Sequence, residues 1–189
     1  MAAIDLSHNP TAIADSDVDA VLDYVILVDA KDQPIGTAEK LEAHQAGLCH
    51  RAFSVFVFFE DKILLQQRAA QKYHSGGLWT NTCCSHPRPN ETIVAAGERR
   101  LKQEMGITVP LKDIGFFHYI APVSGLIENE IDHVLVGQAT SSLCAPDSLE
   151  VSAYRWVTLP DLKQELKNHP DRFTPWLRPA LNLLDTHQP

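Results

Sequence analysis

Positive charge is what this sequence has least of. Only 16 Lys and Arg stand against 24 Asp and Glu in 189 residues, a formal net charge of −8 with a pI near 5.5. That shortage gives no support to a nucleic-acid surface, and an acidic protein that takes an anionic ligand must hold it locally, with a few cations or a metal. Long apolar runs are missing too. None reaches the roughly 18 residues of a membrane span, and the opening MAAIDLSHNP has neither the basic nor the apolar region of a secretory signal. No membrane span and a cytoplasmic location are the expectation. Cysteine is scarce, limited to Cys49, Cys83, Cys84 and Cys144. Adjacent Cys83 and Cys84 would close a strained vicinal bridge, and a chain of this size does not need staples, so reduced thiols are expected. Cys49 and Cys144 read as buried apolar filler.

With 44% hydrophobic and 21% charged residues, the chain can bury one substantial core. No internal repeat or linker argues for a second domain. Residues 1–20 are short of large apolar side chains and read as a flexible tail, with a turn at Asn9-Pro10. Residues 21–189 read as a single domain, monomeric or weakly dimeric. Tyr24–Val28 predicts a strand closed by a turn over Asp29–Pro34. IGTAEKLEAHQAGLCHRAF carries a short segment with helix-forming residues and breaks at Gly47. AFSVFVFF, Ala52–Phe59, is apolar on both faces and predicts a central strand, with DKILLQQRA as its hairpin partner. Glu91–Met105 predicts a helix, capped by Asn90 and stopped by Gly106. Ile114–Ile120 and Asp132–Ala139 read as strands joined by the polar segment APVSGLIENE, and Tyr154–Val157 as a further short strand. Leu159-Pro160 opens the helix DLKQELKNH, and Thr174-Pro175-Trp176 leads a last helix over Leu177–Leu184. Hairpins, one central helix and two late helices predict a mixed α+β sandwich rather than a regular β-α alternation.

The chemistry gathers in LWTNTCCSHPRP, which packs two thiols, an imidazole and small hydroxyls between an apolar run and the central helix. Loops held by such flanks are where chemistry collects, and a thiol with an imidazole serves metal binding, nucleophilic attack or proton transfer. His44, His50 and His86 form one neutral donor set. Glu128 and Glu130 stand two residues apart, so on an extended segment both carboxylates face the same way. Together these five could enclose one divalent ion, Zn²⁺, Mn²⁺ or Mg²⁺; taken singly, each reads as well as an ordinary core or surface polar residue. Lys40, Arg68, Lys72, Arg99 and Arg100 are the cations available to an anion. Glu104 lies one turn from Arg100 and could hold a metal against a diphosphate, although a solvated helix face accounts for Arg99 and Arg100 equally well.

GTAEK followed by His44 and His50, then Arg68 and Lys72, WTNTCCSHP, the RRLKQEMGI helix and GLIENE together resemble the type 1 isopentenyl diphosphate isomerases of the Nudix superfamily. The similarity runs from about Tyr24 to Ala180. TNTCCSHP combined with ENE is its specific part; RRLKQEMGI alone would say little. The resemblance implies a Nudix-like α/β/α sandwich with a mixed sheet and a central Nudix-type helix. Against the hydrolase pattern G-x5-E-x7-R-E-U-x-E-E-x-G-U, the chain offers Ser85, Glu91, Arg99, Arg100, Leu101, Gln103, Glu104, Gly106 and Ile107. Of the clustered helix acids only Glu104 is kept, so the alternative, Nudix diphosphate hydrolysis, is expected to be disabled. A zinc-binding interaction module built on Cys83, Cys84 and His86 is a further alternative, but no second Cys-rich pair completes a closed tetrahedral set.

The same resemblance implies roles. Cys84 is the catalytic thiol and Cys83 its inactive neighbour. Glu130, working with Tyr119, is the opposing acid/base. His44, His50, His86, Glu128 and Glu130 are ligands of a first metal, while Glu104 and the Cys84 carbonyl hold Mg²⁺ on the diphosphate. Lys40, Arg68, Lys72 and Arg100 bind the diphosphate, and Tyr119 and Trp176 line the hydrocarbon pocket. The implied reaction adds a proton at the terminal alkene carbon of isopentenyl diphosphate and removes another from the allylic position, with no flavin or nicotinamide. Trp176 would face the tertiary carbocation, a cation–π attraction of about 2 kcal/mol when desolvated. Glu130 and Tyr119 are expected to deliver the proton and Cys84 to remove the other. The stretch His74-Ser75-Gly76-Gly77 replaces a bulkier, proline-containing loop and implies a more flexible entrance.

Overall fold

Strands and helices in the computed structural model follow the order β1 (Tyr24–Val28), β2 (Pro34–Glu39), α1 (Lys40–Ala46), β3 (His50–Phe59), β4 (Lys62–Arg68), β5 (Trp79–Thr80), β6 (Cys83–Ser85), α2 (Ile93–Met105), β7 (Leu111–Val123), β8 (Leu126–Gln138), β9 (Val151–Thr158), α3 (Leu159–Asn168) and α4 (Leu177–His187). The structure describes residues 24–72 and 74–187. The expected tail and its turn at Asn9-Pro10 lie outside the described residues.

β3 is the axis of one mixed sheet. It runs parallel to β8 from the His50–Glu130 pair to the Phe58–Gln138 pair, and β6 lies antiparallel on it with Ser54 opposite Cys84. Its far end turns into β4 through the Phe58–Ile63 pairing. β4 continues the sheet to β9 and β5, and β7 pairs with β8 so that Tyr119 sits opposite Glu130. Side chains alternate across a strand, and β3 uses both faces. Phe53, Val55 and Val57 pack with Leu101 and Met105 of α2, whereas Phe56 packs with Leu162 of α3 and Leu177 and Leu181 of α4. Each such side chain contributes roughly 1.5–3 kcal/mol by leaving water. Helices therefore cover both faces, and the layers are α/β/α.

Three local expectations change. Pro34–Glu39, given no element in the sequence, is a strand on β1; the short helix expected before Gly47 is Lys40–Ala46, where the Glu39 carboxylate accepts from the amides of Leu41 and Glu42 at 2.9 and 2.8 Å. Thr92, not Asn90, caps α2, through a bond from the Ala95 amide to its hydroxyl. Asn90 instead takes a left-handed turn at φ 66°. APVSGLIENE is the end of β7, a Ser124-Gly125 tip and the start of β8, so ENE stands in a strand.

Two left-handed glycines test the packing. Gly106 ends α2 at φ 68°, and a Cβ there would lie 2.6 Å from the Ala145 carbonyl oxygen, whereas Gly125 at φ 83° has nothing within 4 Å. Gly125→Ala is expected to cost only the left-handed backbone term, about 1–2 kcal/mol. Gly106→Ala must also displace backbone and should cost clearly more. Urea unfolding midpoints compare them, and equal losses would contradict the close contact at Ala145.

Candidate active site

The register of β3 sorts the two adjacent thiols. Cys83 pairs with Val55 and Cys84 with Ser54, so the two face opposite sides of the sheet. Cys83 is fully buried in the core beneath α2. Cys84 shares its side with Ser54, Glu130 and Asp132, and the Ser54 hydroxyl donates to Asp132 Oδ2 at 2.8 Å. A cavity of about 60 Å³ opens there, walled by Cys84, Glu130, Asp132, Tyr119 and Trp176, with Arg68 and Lys72 at one end. Burial pushes the Cys84 thiol up to about 11 against the pull of Arg68, whose Nη1 donates to Sγ at 3.4 Å. The Tyr119 hydroxyl donates to Glu130 Oε2 at 2.5 Å; burial and the carboxylate beside it hold the phenol protonated.

Opposite the thiol stand His44 from α1, His50 at the start of β3, His86 just past β6, and Glu128 and Glu130 from one face of β8. His44 Nδ1 donates to the Lys40 carbonyl at 2.6 Å and His50 Nδ1 to the Leu48 carbonyl at 2.8 Å. These bonds fix the tautomer of the neutral rings, leaving each Nε2 lone pair aimed into the cluster. His50 Nε2 lies 3.2 Å from His86 Nε2 and 3.3 Å from Glu130 Oε1, and His86 Nε2 lies 2.9 Å from the same oxygen. One atom each from His44, His50, His86 and Glu130 falls within 4.8 Å of the others. Donors bound at about 2.1 Å around one ion are spaced by about 3–3.4 Å. Lone pairs and two buried carboxylates converging at that spacing fit a divalent cation, whose charge would balance them.

Electrostatics in the cluster follow burial and pairing. Burial pulls His86 down to about 3. Burial also opposes charge on His44, but the Glu128 carboxylate and the Lys40 carbonyl outweigh it and raise that ring above its usual value. Burial and the neighbouring Glu130 raise Glu128. Glu130 falls well below the carboxylate range, because the bonds to His50 and His86 exceed its burial penalty.

The cationic end is shared with a second, larger cavity of about 330 Å³, lined by Lys40, Lys72, Arg88, Arg99, Arg100 and Glu150. Glu150, which the sequence did not single out, ion-pairs with Lys72 and lies 3.1 Å from Arg100 Nη2. Its carboxylate occupies the cations where an anionic group would sit. Glu104 is buried, with Arg100 Nη2 at 2.5 Å from Oε1 and Gln66 Nε2 donating to Oε2 at 2.9 Å. It belongs to neither of the metal-competent clusters found among the described residues; the structure brings it to the cations, where it shares Arg100 Nη2 with Glu150.

Trp176 roofs the inner cavity, and the TNT of TNTCCSHP holds it there. Its Nε1 donates to Thr80 Oγ1 at 3.0 Å and lies 3.2 Å from Asn81 Oδ1, while Asn81 Nδ2 donates to the Cys83 carbonyl at 2.7 Å. Arg68 lies 5.6 Å from the indole centroid. The loop expected to be a flexible entrance is a pinned turn. His74 and Ser75 are buried, the Gly77 amide donates to the Arg68 carbonyl, and Arg68 Nη2 donates to the His74 carbonyl. The His74 ring enters the His/Glu cluster. Its sequence signal was an imidazole lying between the Arg68/Lys72 pair and WTNTCCSHP.

Residues 49–177 match the NUDIX domain family. The chain is 49% identical over 154 residues to an isopentenyl-diphosphate Delta-isomerase of Burkholderia multivorans, covering 80% of this chain and 87% of that protein. It is 50% identical over 154 residues to the Cereibacter sphaeroides protein of the same name, covering 80% and 85%. Among solved structures, a MutT protein from Methanosarcina mazei overlays with TM-score 0.60 at 18% identity, over 73% of this chain and 94% of that one. A MutT NUDIX hydrolase from Burkholderia pseudomallei gives 0.58 at 20%, over 71% and 97%. At such identities these two speak for the fold alone.

Metal uptake by this cluster should be proton-linked. The raised His44 ring carries a proton below its pKa, and a metal must expel that proton to bind. Apparent affinity should therefore fall as pH drops through the His44 titration and level off above it. Chelator-competition titrations at about pH 8 and about pH 6, either side of the ordinary imidazole value, measure this. Equal affinity at both would contradict the assignment of His44 as a ligand.

Proposed function

The chain belongs to the isopentenyl-diphosphate Delta-isomerase family of the Nudix superfamily, and from that membership we propose how its own residues interconvert isopentenyl and dimethylallyl diphosphate. The observation that carries the reading is the shared cavity of Cys84 with the Glu130–Tyr119 pair, while Cys83 is turned into the core. A double-bond shift needs one group that gives a proton and another that takes one, placed on different sides of a five-carbon plane. In the shared cavity Cys84 offers its thiol, and the Tyr119 hydroxyl bonded to Glu130 gives the opposing pair a proton to move. On this reading the Glu130–Tyr119 pair delivers the proton and Cys84 removes the other, a thiol pushed up by burial being a poor acid for an alkene. The reaction is reversible, so each group serves in both senses.

Lys40, Arg68, Lys72 and Arg100 take the diphosphate at the open end, where it replaces the Glu150 carboxylate on Lys72 and Arg100. Trp176, buried and fixed by Thr80 and Asn81, presents its face to the developing cation and keeps water away, worth about 2 kcal/mol when desolvated. His44, His50, His86, Glu128 and Glu130 would hold Mn²⁺, Zn²⁺ or Mg²⁺, and Glu104 with the Cys84 carbonyl would hold Mg²⁺ with the substrate; these ions supply positive charge to the Glu130 carboxylate and to the diphosphate. Arg100 stands where a hydrolase carries an acid, and it pairs with Glu104. That cation leaves no acid cluster on α2 to activate water. Residues 21–189 act as one catalytic domain on this reading.

Cys84→Ala and Glu130→Gln should each lower turnover by roughly 10²- to 10⁴-fold, the usual worth of a general acid or base. Cys83→Ala should change stability more than turnover. Isomerisation of isopentenyl diphosphate by each purified, metal-loaded variant is the measurement. A Cys84→Ala protein with near-native turnover would sink the assignment.

A further inference from the structure

His74 carries no role in the reaction described above, yet its position is specific. Its Nδ1 lies 3.2 Å from Glu128 Oε1, while Glu128 Oε2 faces His44 Nε2 at 3.4 Å, so each carboxylate oxygen meets a different imidazole. The His74 ring stacks on His44 with centroids 5.7 Å apart and planes at 28°. One atom each from His44, His74 and Glu128 falls within 4.8 Å of the others. The 3.2 Å between His74 and Glu128 equals the spacing between the Nε2 atoms of His50 and His86, the separation of neighbouring donors on one ion. On its other side the ring meets Trp176 edge-on at 6.1 Å, and its carbonyl accepts from Arg68. Burying an imidazole costs free energy unless its polar atoms are used, and an apolar residue would fill the same space without that cost.

We propose that His74 is a further ligand of the metal centre, its fourth imidazole, supplied by the turn that follows Lys72. The inference rests on the metal site described under the proposed function. Four imidazoles with Glu128 and Glu130 make six donors, arranged without an ion as two groups that share His44, one with His50, His86 and Glu130 and one with His74 and Glu128; drawn together onto one ion they would close an octahedral shell. A closed shell is the mark of a structural or electrostatic ion rather than one with a position open to substrate. Ligation through His74 also ties the 74–78 turn to metal occupancy. Lys72 sits two residues from the ligand, and the turn is short, with the Leu78 amide bonded to the Ser75 carbonyl, so loading the metal sets the placement of a diphosphate-binding cation.

The test compares full-length His74→Ala, His74→Gln and His44→Ala with the native chain, using Mn²⁺ as the probe. Chelator competition gives affinity, X-ray absorption of the loaded protein counts imidazoles, and hydrogen exchange with and without Mn²⁺ reports amides 74–78. Loss of His74 should weaken Mn²⁺ binding about 10- to 100-fold, remove one imidazole from the shell and abolish the metal-dependent protection of the turn. If His74→Ala does not fold, His74→Gln carries the same readouts. Unchanged affinity and imidazole count in the His74 variants, with metal lost in His44→Ala, would overturn the proposal and leave the metal site standing. Full metal binding in His44→Ala as well would overturn both.

Discussion

The site depends on the one-residue precision of strand register. β8 pairs with β3 so that Glu130 meets His50, β7 pairs with β8 so that Tyr119 meets Glu130, and β6 pairs with β3 so that Cys84 meets Ser54. Side chains alternate, so a slip of one residue in any of these pairings would send a whole functional set to the opposite face. A slip of β6 would exchange Cys84 for Cys83. The apolar half of the pattern prevents this, because Phe53, Val55 and Val57 fill the core under α2 while Phe56 fills the core under α3 and α4. Packing of residues with no chemistry thus fixes the residues that have it.

An acidic chain holds its anion-binding end by local compensation. Glu150 satisfies Lys72 and Arg100 in the free protein, and Glu104 satisfies Arg100 from below. Buried or half-buried cations left unpaired would be costly, so these carboxylates stabilise the empty site and must yield when a diphosphate arrives. The opposite end of the cavity has the reverse problem. Glu128 and Glu130 lie buried side by side, compensated by imidazoles and by the Tyr119 hydroxyl on Glu130. A divalent ion would relieve that excess of negative charge, which is a physical reason for a metal at this end.

Much of this was legible in the sequence where the signal is local. Tyr24–Val28 and the AFSVFVFF run are β-branched and aromatic, and both are strands. The motif residues Cys84 and His86 sit in the short segment that announced them. The ENE stretch was read as the end of a polar connection because its carboxylates face an interior site; the alternation is inverted there, with Ile127 exposed and Asn129 half-buried between the buried Glu128 and Glu130. Pro34–Glu39 was missed as a strand since it is an edge with nearly all of its side chains exposed. His74 and Glu150 enter the site only through tertiary register, from a turn and from the approach to β9, and no spacing in the chain places them beside His44 or Arg100. The family pattern supplied the set His44, His50, His86, Glu128 and Glu130 as a group; residue types alone left each of them open.

Proton exchange with solvent tests the central claim most directly. The metal-loaded chain would be incubated with isopentenyl diphosphate in D₂O and the products followed by NMR. Transfer through protein groups that equilibrate with solvent should give dimethylallyl diphosphate with deuterium in the methyl group formed from the terminal alkene carbon, and no free phosphate. Release of phosphate without that product, or product formed with no deuterium, would contradict a site in which Cys84 and Glu130 move the two protons.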